Sequence, residues 1–187
     1  MIKIMKAYFV DSNVLIDIKK VIAGEINPEK SRYHRHYKDL IELIINDEIQ
    51  LLVVPTVLEE IKRGSHKDDF LTERFIHKFC VECELDKEEM MLVDELYSAY
   101  IDGDEDAVVP VFKEMKNTIK YNTKDARILA EVTVLFNSNK YDSVKFITNN
   151  IGDFINVDGI KSINQEYDLK TVPFNSIMAS NVKKEIR

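Results

Sequence analysis

The chain has 187 residues, 45% of them hydrophobic and 32% charged, with five Gly, four Pro and a net charge of −7. That composition belongs to one folded domain with a sizeable core rather than to a disordered chain. No apolar run approaches the ~20 residues needed to span a membrane, and the acidic balance excludes a binder that holds nucleic acid on a generally basic surface.

The N-terminal Met-Ile-Lys-Ile-Met-Lys lacks a secretory apolar region and cleavage site, so a cytoplasmic protein is expected. The first apolar run ends abruptly on Asp11, Ser12 and Asn13, after which Val14, Leu15, Ile16 and Ile18 resume at helical spacing. This reads as a buried strand, a turn, and a helix over 13–23 that is capped by Ser12 or Asn13 and stops at Gly24. Ligands of open α/β sheets bind outside the carboxyl ends of the strands, which puts Asp11 where chemistry occurs.

Ser31 is placed to cap a second helix, with Tyr33, Tyr37, Leu40, Ile41, Leu43 and Ile44 on its apolar side. Arg32, His34, Arg35, His36 and Lys38 make its first turns the densest basic cluster in the chain. A solvated helix face is the plainer reading, although aromatics interleaved with cations also suit single-stranded nucleic acid. The run 49–54 is a continuous strand closed by Pro55. Thr56 is then expected to cap a helix, with Glu59 or Glu60 completing a capping box. Further helices are expected over 68–79, with Phe70, Leu71, Phe75, Ile76 and Phe79 inward, and over 87–101. The latter is capped by Asp86 and turns Met90, Met91, Val93, Leu96, Tyr97 and Tyr100 inward.

Cys80 and Cys83 form a single C-x-x-C with no second ligand pair for zinc. The segment between them looks extended, so both are expected to be unpaired structural thiols. The acidic turn 102–106 has the carboxylate spacing of a calcium loop, but Ala107 occupies the required glycine and Lys113 the twelfth position. It reads as a solvated cap before a helix over 107–117. Thr123 is expected to cap a long helix over 124–136, with Asp125 in its first turn, where the helix dipole favours an acid. A strand over 143–147 runs into Thr148, Asn149, Asn150 and Asp153, and 169–172 is expected as the last strand, closed by Pro173. Strands separated by helices, the central ones continuously apolar, imply a covered parallel sheet.

Four acids thus fall at strand ends or helix starts: Asp11, Glu59 or Glu60, Asp125 and Asp153. The segments that carry them, Val10-Asp-Ser-Asn-Val-Leu-Ile-Asp17, Val54-Pro-Thr-Val-Leu-Glu-Glu-Ile61, Thr123-Lys-Asp-Ala-Arg-Ile-Leu-Ala130 and Phe146-Ile-Thr-Asn-Asn-Ile-Gly-Asp-Phe154, resemble in order and position the PIN-domain nucleases. The resemblance runs from the first strand to Phe154. It implies a three-layer α/β/α sandwich with a central, mainly parallel sheet, here a single domain over 1–187 with helical insertions at about 20–45 and 65–120. It also implies a metal-dependent endoribonuclease, often the toxin of a toxin–antitoxin pair, and dimers are common among such proteins.

Carried over by position, Asp11, Glu60, Asp125 and Asp153 are the metal acids. Glu59 is the alternative second acid, and Asn150 stands where many members have the fourth. Thr148, Asn13 and Asn150 resemble the polar residues that orient ligands or water. Physically, carboxylates gathered this closely repel one another unless a cation sits among them. All-oxygen ligands favour Mg²⁺ or Mn²⁺ over zinc. The expected partners are an RNA substrate, an antitoxin protein if the chain is a toxin, and a second copy of itself, with no membrane. A rival reading is a degenerate PIN domain that binds RNA or protein without cutting. A phosphatase with Asp11 as nucleophile is the weaker rival, because position 13 is Asn.

Overall fold

The apolar run at the start of the chain becomes strand β1, Lys6–Val10, with four of its five residues buried. The computed structural model describes residues 6–30, 34–63, 70–102, 119–141, 145–149 and 157–176. The chain divides into two compact units, Met1–Cys83 with Asp142–Asn149 and Pro173–Arg187, and Glu84–Tyr141 with Asn150–Val172.

The first unit holds a five-stranded sheet of β1, β2 (Ile49–Val53), β3 (Cys80–Glu82), β4 (Lys145–Thr148) and β5 (Phe174–Ser176). The strand order is β3-β2-β1-β4-β5 and every pairing is parallel. This is the α/β class with a parallel central sheet expected from the strand–helix alternation. The chain steps outward from β1 to β2 and β3 on one side, and to β4 and β5 on the other. The strand order therefore reverses between β1 and β4, and crevices that take ligands form at such reversals.

Among the described residues this unit has four helices: α1 (Ser12–Ile22), α2 (Arg35–Ile45), α3 (Pro55–Arg63) and α4 (Phe70–Phe79). Helix α1 packs against the other three. Its Val14, Leu15 and Ile18 are buried, as are Tyr37, Leu40 and Ile44 of α2, Val57 and Ile61 of α3, and Phe75 and Ile76 of α4. Each fully buried aliphatic side chain of this set contributes roughly 1.5–3 kcal/mol of transfer free energy. Gly24, just past α1, adopts φ 75°, the left-handed conformation expected of a helix-terminating glycine. Asp47, which ends α2, does the same at φ 53° without being glycine.

The second unit contains α5 (Lys87–Asp102), α6 (Ile119–Asn137) and α7 (Val157–Glu166). Helix α5 packs on α6 and α7, burying Val93, Leu96 and Tyr100 with Ile128, Leu129, Val132, Leu135, Ile160 and Ile163. Asp86 and Glu89 form a reciprocal capping box: the Glu89 amide donates to Asp86 Oδ1 at 2.9 Å, and the Asp86 amide donates to Glu89 Oε2 at 2.8 Å. Among the described residues no helix is long and apolar enough to cross a membrane.

Several local expectations are corrected. Asp11, not Ser12 or Asn13, is the N-cap residue of α1. Helix α3 begins at Pro55, the position where a missing N–H costs nothing, so Thr56 lies inside the first turn rather than ahead of the helix. Helix α6 begins four residues before Thr123, so Asp125 is a second-turn residue rather than a first-turn acid. Met90 and Met91 are 46% and 57% exposed, because the buried stripe of α5 runs through Val93, Leu96 and Tyr100. Residues 169–172 are not a strand. The Lys170 amide donates to the Asn137 side chain at 2.8 Å, and β5 starts after Pro173, whose carbonyl accepts from the Phe146 amide at 2.9 Å. Helix α7 was not legible, Gly159 having masked the Ile160–Ile163 spacing. Ser31 and the segments over 103–118, with the acidic turn and its following helix, lie outside the described residues.

Candidate active site

The carboxylate of Asp11 sits at the carboxyl end of β1, and its residue is 3% exposed. Register places it there: Val10 pairs with Ile147, and the Asp11 amide donates to the Ile147 carbonyl at 3.0 Å, extending the β1–β4 ladder by one step. That step is at the reversal of strand order. The Asp11 carbonyl starts the helix, accepting from the Val14 amide at 3.1 Å. Its side chain makes no capping bond. A carboxylate at an N-cap ordinarily accepts from the amides of the first turn. This one takes the Thr148 hydroxyl on Oδ2 at 2.9 Å and the Ser12 hydroxyl on Oδ1 at 3.3 Å, and of the first-turn amides only that of Ser12 acts on it. Capping therefore does not account for Asp11.

Thr148 is the last residue of β4 and is wholly buried. A buried hydroxyl needs a partner, and here the partner is a carboxylate carried by the adjacent strand. Glu60 lies on α3, which follows β2. Burial is the main influence pushing the Asp11 carboxyl above its ordinary range. The Thr148 hydrogen bond pulls the other way, and the Glu60 carboxylate pushes in the same direction as burial. Glu59 differs: it is exposed and forms an ion pair with Arg63 one turn along the helix. Of the two adjacent glutamates, Glu60 is the one that acts on Asp11.

Asn13 lies in the first turn of α1 and is exposed. Asp125 belongs to the second unit, on α6, and is partly buried. Asn150 and Asp153 lie outside the described residues. Among the described residues no group of three or more His, Cys, Asp or Glu side chains is assembled to hold a metal ion. The side chains that act on Asp11 all carry oxygen donors: the Glu60 carboxylate and the Thr148 and Ser12 hydroxyls. This set fits Mg²⁺ or Mn²⁺, since Mg²⁺ is usually held by one or two carboxylates together with substrate phosphates and water.

The sequence reading missed Ser12 as a partner of Asp11. It also missed a polar cluster around Asp17. The Tyr37 hydroxyl donates to Asp17 Oδ2 at 3.1 Å, and Asn149 Nδ2 donates to the same oxygen at 3.2 Å and to the Tyr37 hydroxyl. His34 Nε2 lies 3.8 Å from that oxygen. Asp17 closes the first family-like segment, the one signal that pointed here. Tyr37 read only as an apolar helix position. The two cysteines are free thiols, and burial with the nearby Glu82 pushes Cys80 up to about 12.

No protein-family model matches the chain, and no curated protein does. Among solved structures the chain is similar to VapBC2 from Rickettsia felis bound to a DNA fragment from its promoter, at 11% identity and a TM-score of 0.47, covering 91% of this chain and 98% of that one. A likeness that loose identifies neither a family nor an activity.

Proposed function

We propose that the protein is a Mg²⁺- or Mn²⁺-dependent endoribonuclease of the PIN type that hydrolyses RNA phosphodiester bonds. The observation that carries this reading is Asp11, a buried carboxylate at the reversal of strand order that is not used as a helix cap and lies within electrostatic reach of Glu60. A fold retains such a like-charged pair at a cost that a cation would relieve. In this reading Asp11 and Glu60 hold the cation; that Asp125 and Asp153 are also metal acids is what the family resemblance implies. When bound, the cation polarises the phosphate, makes water more acidic and stabilises the leaving oxygen. Thr148 keeps the Asp11 carboxylate in one orientation by its 2.9 Å hydrogen bond, and Asn13 and Asn150 orient water or substrate. A role as the toxin of a toxin–antitoxin pair, with an antitoxin covering the acidic rim, rests on the resemblance alone. So does self-association.

The test is cleavage of a mixed RNA pool by the purified chain with Mn²⁺, with EDTA, and as Asp11→Asn. The reading expects cutting in the first lane only. Cutting that survives EDTA or Asp11→Asn refutes it. RNA binding without cutting, indifferent to Mn²⁺, would replace it with the binding-module reading.

A further inference from the structure

Thr148 and Asn149 are consecutive, yet their side chains are tied to different acids at the start and middle of α1. Thr148 donates to Asp11, and Asn149 donates to Asp17. The exit of β4 is therefore bound to α1 at two points six residues apart, about 9 Å along a helix. The second point is reinforced from a third element. Tyr37 of α2 is wholly buried, donates to Asp17 and accepts from Asn149. One oxygen of Asp17 thus gathers the Tyr37 hydroxyl and the Asn149 amide, with the His34 ring at 3.8 Å.

Seating a buried phenol oxygen against a partly buried amide and carboxylate costs free energy that an apolar contact would not. The Asn149 Nδ2 end is tied to both Asp17 and Tyr37, while its Oδ1 is buried without a hydrogen-bond partner; losing the Nδ2 bonds would leave a second unsatisfied group there, which favours this one arrangement. What it holds here is the backbone immediately after Thr148.

We propose that Asp17 and Tyr37 are positioning residues: by fixing Asn149 they hold Thr148 in the rotamer that grips Asp11. They touch neither substrate nor cation. The positional part stands on the hydrogen bonds alone, whereas its kinetic consequence rests on the nuclease reading.

Tyr37→Phe tests this in the full chain, since it keeps the buried ring and removes only the hydroxyl. The first readout is NMR of the threonine methyl groups, reporting the Thr148 side-chain rotamer and order. In Tyr37→Phe and Asp17→Ala, Thr148 should average over rotamers. Asp17→Asn keeps an acceptor oxygen for Tyr37 and should restore the wild-type signal. The second readout is RNA cleavage: kcat should fall roughly 10- to 100-fold in Tyr37→Phe, the scale of a displaced reacting group, while KM moves less than about twofold. An unchanged Thr148 rotamer in both Tyr37→Phe and Asp17→Ala, even with a lower Tm, overturns the proposal and leaves the cluster as packing. Asp17→Asn behaving like Asp17→Ala also overturns it. If the wild type cuts no RNA, the nuclease reading fails, and the methyl readout still decides this one.

Discussion

Replacing Thr148 by Val isolates the hydrogen bond on which the candidate site turns. Valine has nearly the same shape and Thr148 is wholly buried, so packing is kept and only the hydroxyl is lost. A hydrogen bond to an ionised group contributes about 1.5–3 kcal/mol, and a neutral one about 0.5–1.5 kcal/mol. At pH 7 Thr148→Val should cost about 1.5–3 kcal/mol in urea unfolding, or about 3–12 °C of Tm for a chain of this size. The sign of its pH dependence follows from the raised Asp11 carboxyl. A group raised in the folded state contributes stability that is present below its unfolded value, about 3.9 for Asp, and lost as pH rises through the folded value. Without the Thr148 hydroxyl that folded value rises further, so the loss deepens and the gap between variant and wild type widens from pH 4 to 7. In an Asp11→Asn background the bond is neutral at every pH. Thr148→Val should then cost about 1 kcal/mol less, a coupling within the usual range for touching residues. A gap that is the same at both pH values, or undiminished in the Asp11→Asn background, refutes the account of Asp11 as a buried ionisable group held by Thr148.

Glu60→Gln should lower RNA cleavage by about 10²-fold or more, on the scale of lost charge stabilisation. Glu59→Gln should leave turnover unchanged, since its carboxylate faces Arg63 instead; equal effects in a cleavage assay would remove the distinction. In the second unit, Tyr100→Phe deletes the hydroxyl that donates to Asn164 Oδ1 at 2.6 Å, leaving a buried amide oxygen short of a donor. A destabilisation of about 1–3 kcal/mol in urea is expected, and none at all would deny that bond its role. Iodoacetamide should label Cys80 in the native protein at pH 8 on the order of 10³-fold more slowly than in the unfolded chain, because the folded thiol is pushed up to about 12. Comparable rates would show that thiol to be unperturbed.

The amino-acid sequence by itself determined the elements whose signals are local. The apolar run ending at Asp11, the helix stopping at Gly24, the continuous strand before Pro55 and the Asp86 cap of α5 each follow from neighbours a few residues apart. The same locality explains the misreadings. Thr56 and Thr123 have good capping chemistry, and it was overruled by a proline that starts one helix and by the earlier start of another. Asp11 as the centre of a site was legible from its place at a strand end. What it is bonded to was not.

Its hydroxyl partner Thr148 lies 137 residues away, and only the parallel pairing of β4 with β1 brings the two together. The distinction between Glu59 and Glu60 likewise needed the folded chain, in which one carboxylate acts on Asp11 and the other pairs with Arg63. The Asp17–Tyr37–Asn149 cluster needed three elements to converge. Propensity and periodicity act along the chain over a turn or a strand, whereas a buried polar group finds its partner only where the packed backbone presents one.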